Sequence, residues 1–261
     1  MLGALGVTIV AAAGCAGSDG APDRFSQDGG EGRVESAAAT GRLSPRLGSV
    51  PRNGRLLAPG VHELRIGEGR PAFLSVPPGV ARGRPVPLIV VLHGAGGSAR
   101  SGLGLLREIT DDAGVALLAP SSRGRTWDVL LGAYGPDVTV LDALLGRVSS
   151  ELVVDTSRIV VAGFSDGASY ALSLGLTNGD LFSGVVAFSP GFCAATNRRG
   201  RPLVYQSHGV DDDVLPIDRT SRRLVPALRR KGYRVAYREF AGGHVVPPDI
   251  AREALGQVLA E

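Results

Sequence analysis

Cysteine is nearly absent from this chain: its 261 residues hold two, Cys15 and Cys193. No Cys-x-x-Cys pair and no Cys/His cluster has the spacing of a metal site, so no metal is expected and no disulfide framework supports the fold. Lysine is scarcer still. Lys231 is the only one, and every other cationic side chain is an arginine. The formal charge is only +3, and the arginines are scattered, with short clusters at Arg198-Arg199 and Arg229-Arg230-Lys231 among them. A nucleic-acid binder gathers its basic residues on one face or stripe, so no nucleic-acid partner is expected. Long apolar runs are missing too: the N-terminal stretch of about thirteen such residues is too short to span a bilayer. There is no internal repeat, which removes solenoid architectures.

What is present suits one large α/β domain behind an N-terminal processing segment: 44% of the residues are hydrophobic, enough for a substantial core. The first fourteen residues are almost all small or apolar and run into Ala12-Ala13-Gly14-Cys15. This resembles the lipobox of bacterial lipoproteins, in which the cysteine is lipidated and becomes the new N-terminus. Two features depart from that pattern. Ala12 stands where Leu or a β-branched residue is usual, and no Lys or Arg precedes the apolar run, though a start further upstream would supply one. Residues 1–15 are therefore expected to direct export, with lipid anchoring through Cys15, simple cleavage and secretion, or an unprocessed cytosolic terminus as the alternatives. If Cys15 is lipidated, Cys193 has no partner in the chain. Residues 16–55 are rich in Gly, Ser, Ala, Arg and Asp without periodicity and read as a flexible linker. The folded domain is expected over 56–261.

Within that domain strand and helix signals alternate. Residues 60–66 and 71–76 read as a hairpin turning at Gly67-Glu68-Gly69. Pro87 to Leu92 is a continuous apolar run, the pattern of a strand buried on both faces of a parallel sheet. A helix over 101–113, a strand over 115–119, a helix over 137–152 and a strand over 158–164 follow. Strands are then expected near 184–188, 202–207 and 233–240, and helices near 219–231 and 248–260. This alternation implies a mostly parallel sheet between helical layers, with right-handed crossovers.

The most informative segment is Gly163-Phe164-Ser165-Asp166-Gly167, set between the β-branched run ending at Ala162 and a helical stretch from Ala168 to Leu176. A serine on a tight strand-to-helix turn, with glycine two residues to either side, resembles the nucleophile elbow of α/β-hydrolases. Strand and helix approach so closely there that side chains at 163 and 167 would not fit. The hydroxyl is left above the sheet, beside unpaired helix N–H groups that favour negative charge.

A serine hydroxyl needs a base to take its proton. Four histidines are available. His62 lies in an early strand and reads as packing. His93 opens His93-Gly94-Ala95-Gly96-Gly97, similar to the esterase loop that donates a backbone N–H to an oxyanion; its ring is read as a brace for that loop, with direct catalysis as the other reading. His244, in Gly242-Gly243-His244 after the last strand, is the expected general base. The order Ser165, Asp, His244 matches that of α/β-hydrolases. The orienting acid is one of Asp211, Asp212 and Asp213.

Here the resemblance becomes specific. His208-Gly209-x-x-Asp212-x-Val214-Leu215-Pro216 is similar to a segment of the phospholipase/carboxylesterase group of serine esterases, and it covers essentially the folded part with the other motifs. It implies Asp212 as the triad acid. Acyl-protein thioesterases of the group carry Gln where this chain has Asp166, which leaves the substrate open. The expected function is ester hydrolysis through an acyl-enzyme, with Ser165, Asp212 and His244 as triad, backbone N–H groups of Ala95 and Asp166 as oxyanion hole, and no cofactor. A polyester depolymerase or peptidase of the same fold is the alternative, and a catalytically silent binding protein a third. Only about a dozen residues separate the strands ending near Phe188 and beginning near Pro202, too few for a lid domain. Gly94 and Trp127 are the candidate substrate contacts, although Trp127 also reads as a structural anchor.

Overall fold

The computed structural model describes residues 37–47, 56–80, 83–195 and 197–260. Cys15, and with it the expected export segment 1–15, lies outside them. Gly60–Leu64 (β1) and Ala72–Val76 (β2) form the anticipated antiparallel pair, with His62 opposite Leu74. Val86–Leu92 (β3), Ala116–Ala119 (β4), Val154–Phe164 (β5), Gly184–Phe188 (β6), Leu203–Gly209 (β7) and Val235–Phe240 (β8) run parallel to one another. The sheet order is β1-β2-β4-β3-β5-β6-β7-β8, with β2 antiparallel to β4.

The continuous apolar run of β3 is explained by layers on both faces. Leu88, Val90 and Leu92 enter one core, while Ile89 and Val91 enter the other. Helices Ala99–Asp112 (α1) and Pro248–Leu259 (α5) supply Leu103, Leu106, Ile250, Leu255 and Val258 to the second core. Helices Pro136–Glu151 (α2), Asp166–Thr177 (α3) and Ser221–Arg230 (α4) cover the first. Both α2 and α5 begin on proline, which fits a first turn because its missing N–H would have no partner there. Between β6 and β7 no helix occurs among the described residues, so no large lid covers the strand ends.

This is the α/β-hydrolase fold, and its value for chemistry lies in direction. Parallel strands share one end, and the loops after β3, β4, β5, β7 and β8 all leave from it.

The boundary expected at residue 55 is corrected. Residues 37–47, assigned above to a flexible linker, are docked on the domain. Leu43 is buried with 1% exposure and joins the core beside α2 and α3. Asn178, wholly buried after α3, accepts from the Leu43 N–H (2.8 Å) and the Arg42 guanidinium (3.2 Å), and donates to the Gly41 carbonyl (2.8 Å). Arg42 also forms a two-armed pair with Asp180. The Ser44 N–H donates to Asp142 (2.6 Å), and Ser149 donates to the Arg46 carbonyl (2.8 Å). The segment has no apolar periodicity; its anchorage comes from one leucine and a buried amide far along the chain.

Candidate active site

The elbow is built as its spelling requires. Ser165 holds φ 58° and ψ −118°, a region that non-glycine residues rarely occupy and that costs about 1–3 kcal/mol. A Cβ at Gly163 would strike the Gly167 carbonyl, and one at Gly167 would strike the Leu92 carbonyl. The strain is held by neighbours: the Ser165 N–H donates to the Phe188 carbonyl (2.9 Å), and its own carbonyl accepts from Ala168 and Ser169 (3.0 Å each). Ser165 retains 8% exposure. As the first residue of α3, Asp166 has no intrahelical acceptor for its N–H.

The loop after β3 lies against this serine. A Cβ at Gly94 would sit 3.4 Å from the Ser165 Cβ. The N–H groups of Gly96 and Gly97 are committed to the Arg125 (2.7 Å) and Gly94 (3.1 Å) carbonyls. The Ala95 N–H, on an exposed residue, makes no hydrogen bond among the described residues. His93 is buried and braces this loop. Its Nδ1–H donates to the Gly94 carbonyl (2.7 Å), and its Nε2 accepts the Ser122 N–H (3.1 Å). Burial lowers its pKa and outweighs the Gly94 contact, which keeps the ring neutral.

Trp127 is not a wall of the cleft. With 1% exposure it is a core residue: its indole N–H donates to the His93 carbonyl (2.8 Å), and its ring stacks on Tyr170 at 5.1 Å. The sequence shows an isolated indole in a loop; it does not show that α3 raises an aromatic ring to meet it. His62 lies away from these loops and bonds to the Ala58 carbonyl (2.7 Å).

Asp212 and His244 come together after β7 and β8. Their loops are joined by the Val210 N–H to the Phe240 carbonyl (2.9 Å) and the Asp211 N–H to the Gly242 carbonyl (3.0 Å). Among the three aspartates, Asp212 is buried and turned inward. Its Oδ2 accepts from His244 Nδ1 at 2.6 Å, and its Oδ1 accepts the Val214 (3.0 Å) and Leu215 (2.8 Å) N–H groups. Burial would raise the pKa of this carboxyl, but the Leu215 N–H and His244 outweigh it and hold it below the usual carboxylate value. Asp211 and Asp213 are exposed. The His244 ring packs on Phe164, the residue before Ser165, with centroids 4.6 Å apart. The exposed Val214 and Val245 give the rim beside this pair apolar surface.

Three supports escape sequence reasoning. The Asp166 carboxylate accepts from Thr126 (2.6 Å), tying the loop after β4 to the elbow. Arg70 donates to the Ser122, Gly124 (3.0 Å each) and Gly97 (3.2 Å) carbonyls, joining that loop to the one after β3. His208 faces the same oxygen of Asp212 that His244 uses, at 3.1 Å. Only His208 had a signal, the motif it opens. Among the described residues no group of three or more His, Cys, Asp or Glu side chains is placed to hold a metal ion.

Residues 138–253 match the Phospholipase/Carboxylesterase family. Over 188 residues the chain is 31% identical to the probable feruloyl esterase C of Aspergillus niger, covering 68% of this chain and 65% of that protein. The chain thus spans just under two thirds of that relative's length. The esterase PE8 superposes with a TM-score of 0.58 at 24% identity, covering 73% of this chain and 99% of that one. A ferulic acid esterase of Anaeromyces mucronatus gives 0.59 at 16%, covering 77% and 89%. Both structural likenesses speak to the fold.

Proposed function

We infer that this α/β-hydrolase, of the phospholipase/carboxylesterase type by its fold and its 138–253 match, hydrolyses carboxylic esters with Ser165 as nucleophile, His244 as base and Asp212 as acid. The observation that carries the reading is the Asp212–His244 hydrogen bond of 2.6 Å, with its imidazole resting on the residue before a backbone-strained serine. In this reading His244 takes the Ser165 proton through Nε2 as Oγ attacks the ester carbonyl. Nδ1–H stays on Asp212, which fixes the tautomer and stabilises the imidazolium. The N–H groups of Ala95 and Asp166 receive the oxyanion, each worth roughly 10²–10³ in rate. Collapse of the tetrahedral intermediate expels the alcohol, protonated by His244, and leaves the acyl group on Ser165. Water deprotonated by the same imidazole then releases the acid. Gly94 lies beside Ser165, and the absence of a side chain there leaves the space next to the hydroxyl open to the carbonyl.

The similarity to a feruloyl esterase supports aromatic-acid esters as the first substrate class to try, and the lidless strand ends support soluble esters over lipid interfaces. Export, with Cys15 as the lipid-bearing residue, is supported by the sequence of 1–15. The test is fluorophosphonate labelling with peptide mapping, alongside methyl ferulate and p-nitrophenyl esters of increasing acyl length. Ser165 should carry the label, and Ser165→Ala or His244→Ala should each lower kcat by about 10⁴–10⁶. Hydrolysis that survives both substitutions rejects the assignment.

A further inference from the structure

His208 is wholly buried at the end of β7, opposite Glu239 in β8 and beneath the start of α4. Its Nε2 faces two oxygens that carry no proton near neutrality, the Leu215 carbonyl at 2.8 Å and Asp212 Oδ2 at 3.1 Å. That nitrogen must therefore carry the hydrogen. On the other side Nδ1 lies 2.6 Å from Ser221 Oγ, so in a neutral ring the serine hydroxyl donates. We propose that His208 is a positioning residue for Asp212, locked by Ser221 in its Nε2–H form, holding the Leu215 segment that binds Asp212 and flanking the oxygen that holds His244. The proposal rests on the triad reading above.

Asp212 accepts two backbone N–H groups on Oδ1 and the His244 imidazole on Oδ2, while His208 Nε2, whose hydrogen goes to the Leu215 carbonyl, lies 3.1 Å from that same Oδ2. The Val214 and Leu215 N–H groups are fixed by the fold, the latter segment held by His208, so the carboxylate cannot swing and the direction of the His244 bond is set. The polarised Nε2–H edge of His208 beside Oδ2 also tempers that oxygen's basicity toward His244. Burial lowers the His208 pKa and outweighs its contacts with Leu215 and Asp212, which fits a ring that stays neutral. The other charges around it are accounted for. Glu239 is paired with Arg222 and accepts from Tyr237, Arg222 also holds Asp218, and Asp211 and Asp213 point to solvent.

The experiment has two arms. Long-range proton–nitrogen NMR of the imidazoles, with His208 identified by its disappearance on substitution, reads the tautomer without any need for activity. A neutral Nε2–H ring from pH 5 to 8 is expected; an Nδ1–H ring, or titration near the ordinary histidine value, overturns the proposal. The second arm compares His208→Gln, whose amide places a donor near Nε2, with His208→Asn, whose amide reaches only the Nδ1 position. In the Asn variant kcat/KM should fall about tenfold, and the acid limb of its pH profile should move up by about half a unit as Asp212 binds the base more tightly. His208→Gln should restore the original limb. Equal losses in both variants with an unmoved limb would make His208 merely structural. Should the Asn variant fail to fold, Ser221→Ala, which frees the ring to flip, must shift the limb in the same direction. Failure of Ser165 to take the fluorophosphonate label would instead strike at the triad reading, leaving the tautomer result to stand alone.

Discussion

Leu43→Ala tests whether the domain starts where the sequence suggests or eighteen or so residues earlier. Leu43 is 99% covered and sits in the core beside α2 and α3, so truncation removes its transfer energy and opens a cavity. Buried Leu→Ala changes cost about 2–5 kcal/mol, and a site in a docked segment that can partly collapse belongs at the lower end, about 2–3 kcal/mol. The obvious rival is the Arg42–Asp180 pair, but these side chains are 26% and 40% exposed. Such pairs give about 0.2–1 kcal/mol, so the leucine dominates. For a domain of this size each kcal/mol moves Tm by about 2–4 °C, which puts Leu43→Ala about 4–12 °C below the parent and Arg42→Ala no more than about 4 °C below. Calorimetry of both variants, with the full chain present, measures this. A Leu43→Ala melting point within about 2 °C of the parent would mean the segment is not docked in solution, and the fold would then begin near residue 56.

Three further outcomes follow from the site. Asp212→Asn should lower kcat by about 10³–10⁴, because the amide favours the wrong His244 tautomer, while the same change at Asp211 or Asp213 should cost less than about threefold; equal losses would remove Asp212 from its role. Thr126→Val deletes the hydroxyl donor to Asp166, so kcat should drop about tenfold with little change in KM, measured on a p-nitrophenyl ester; an unchanged kcat would make that contact incidental. Stability should fall on acidification. His93 and His208 have depressed folded pKa values, so each contributes stability above its unfolded value of about 6.5 that is lost as pH drops toward the folded one, at up to about 1.4 kcal/mol per pH unit. Asp212, also depressed, adds a loss only below about pH 4, whereas Asp137, raised by burial, acts in the opposite sense just above that range. Urea midpoints at pH 7.5 and 5.5 decide it, and an equal or higher midpoint at 5.5 refutes the neutral-histidine assignment.

Strand and helix positions were legible because the central parallel strands carry apolar runs, while the edge strand Val235–Phe240 is mixed. The expected helix over 137–152 is observed at Pro136–Glu151, and the strand expected over 158–164 is the end of Val154–Phe164. The elbow was legible for a similar reason: close approach of α3 to β3 and β5 leaves glycine as the only fit at 163 and 167. Contacts set by distant partners were not. Nothing around Leu43 announces that Asn178 will bind its backbone, and nothing around Trp127 announces Tyr170. Ser221 is an ordinary helix-start serine until His208 arrives beside it from another strand. Such relations depend on tertiary register, which local pattern does not encode.

The solitary indole has a use of its own. Trp127 is the only tryptophan in the chain, is sealed from water, and is hydrogen-bonded to the residue that opens the loop beside Ser165. Excited beyond the tyrosine band, all of the protein's fluorescence therefore originates at one point directly beneath that loop. Emission should be blue-shifted in the folded protein, and a ligand that displaces the loop would change it without any introduced dye.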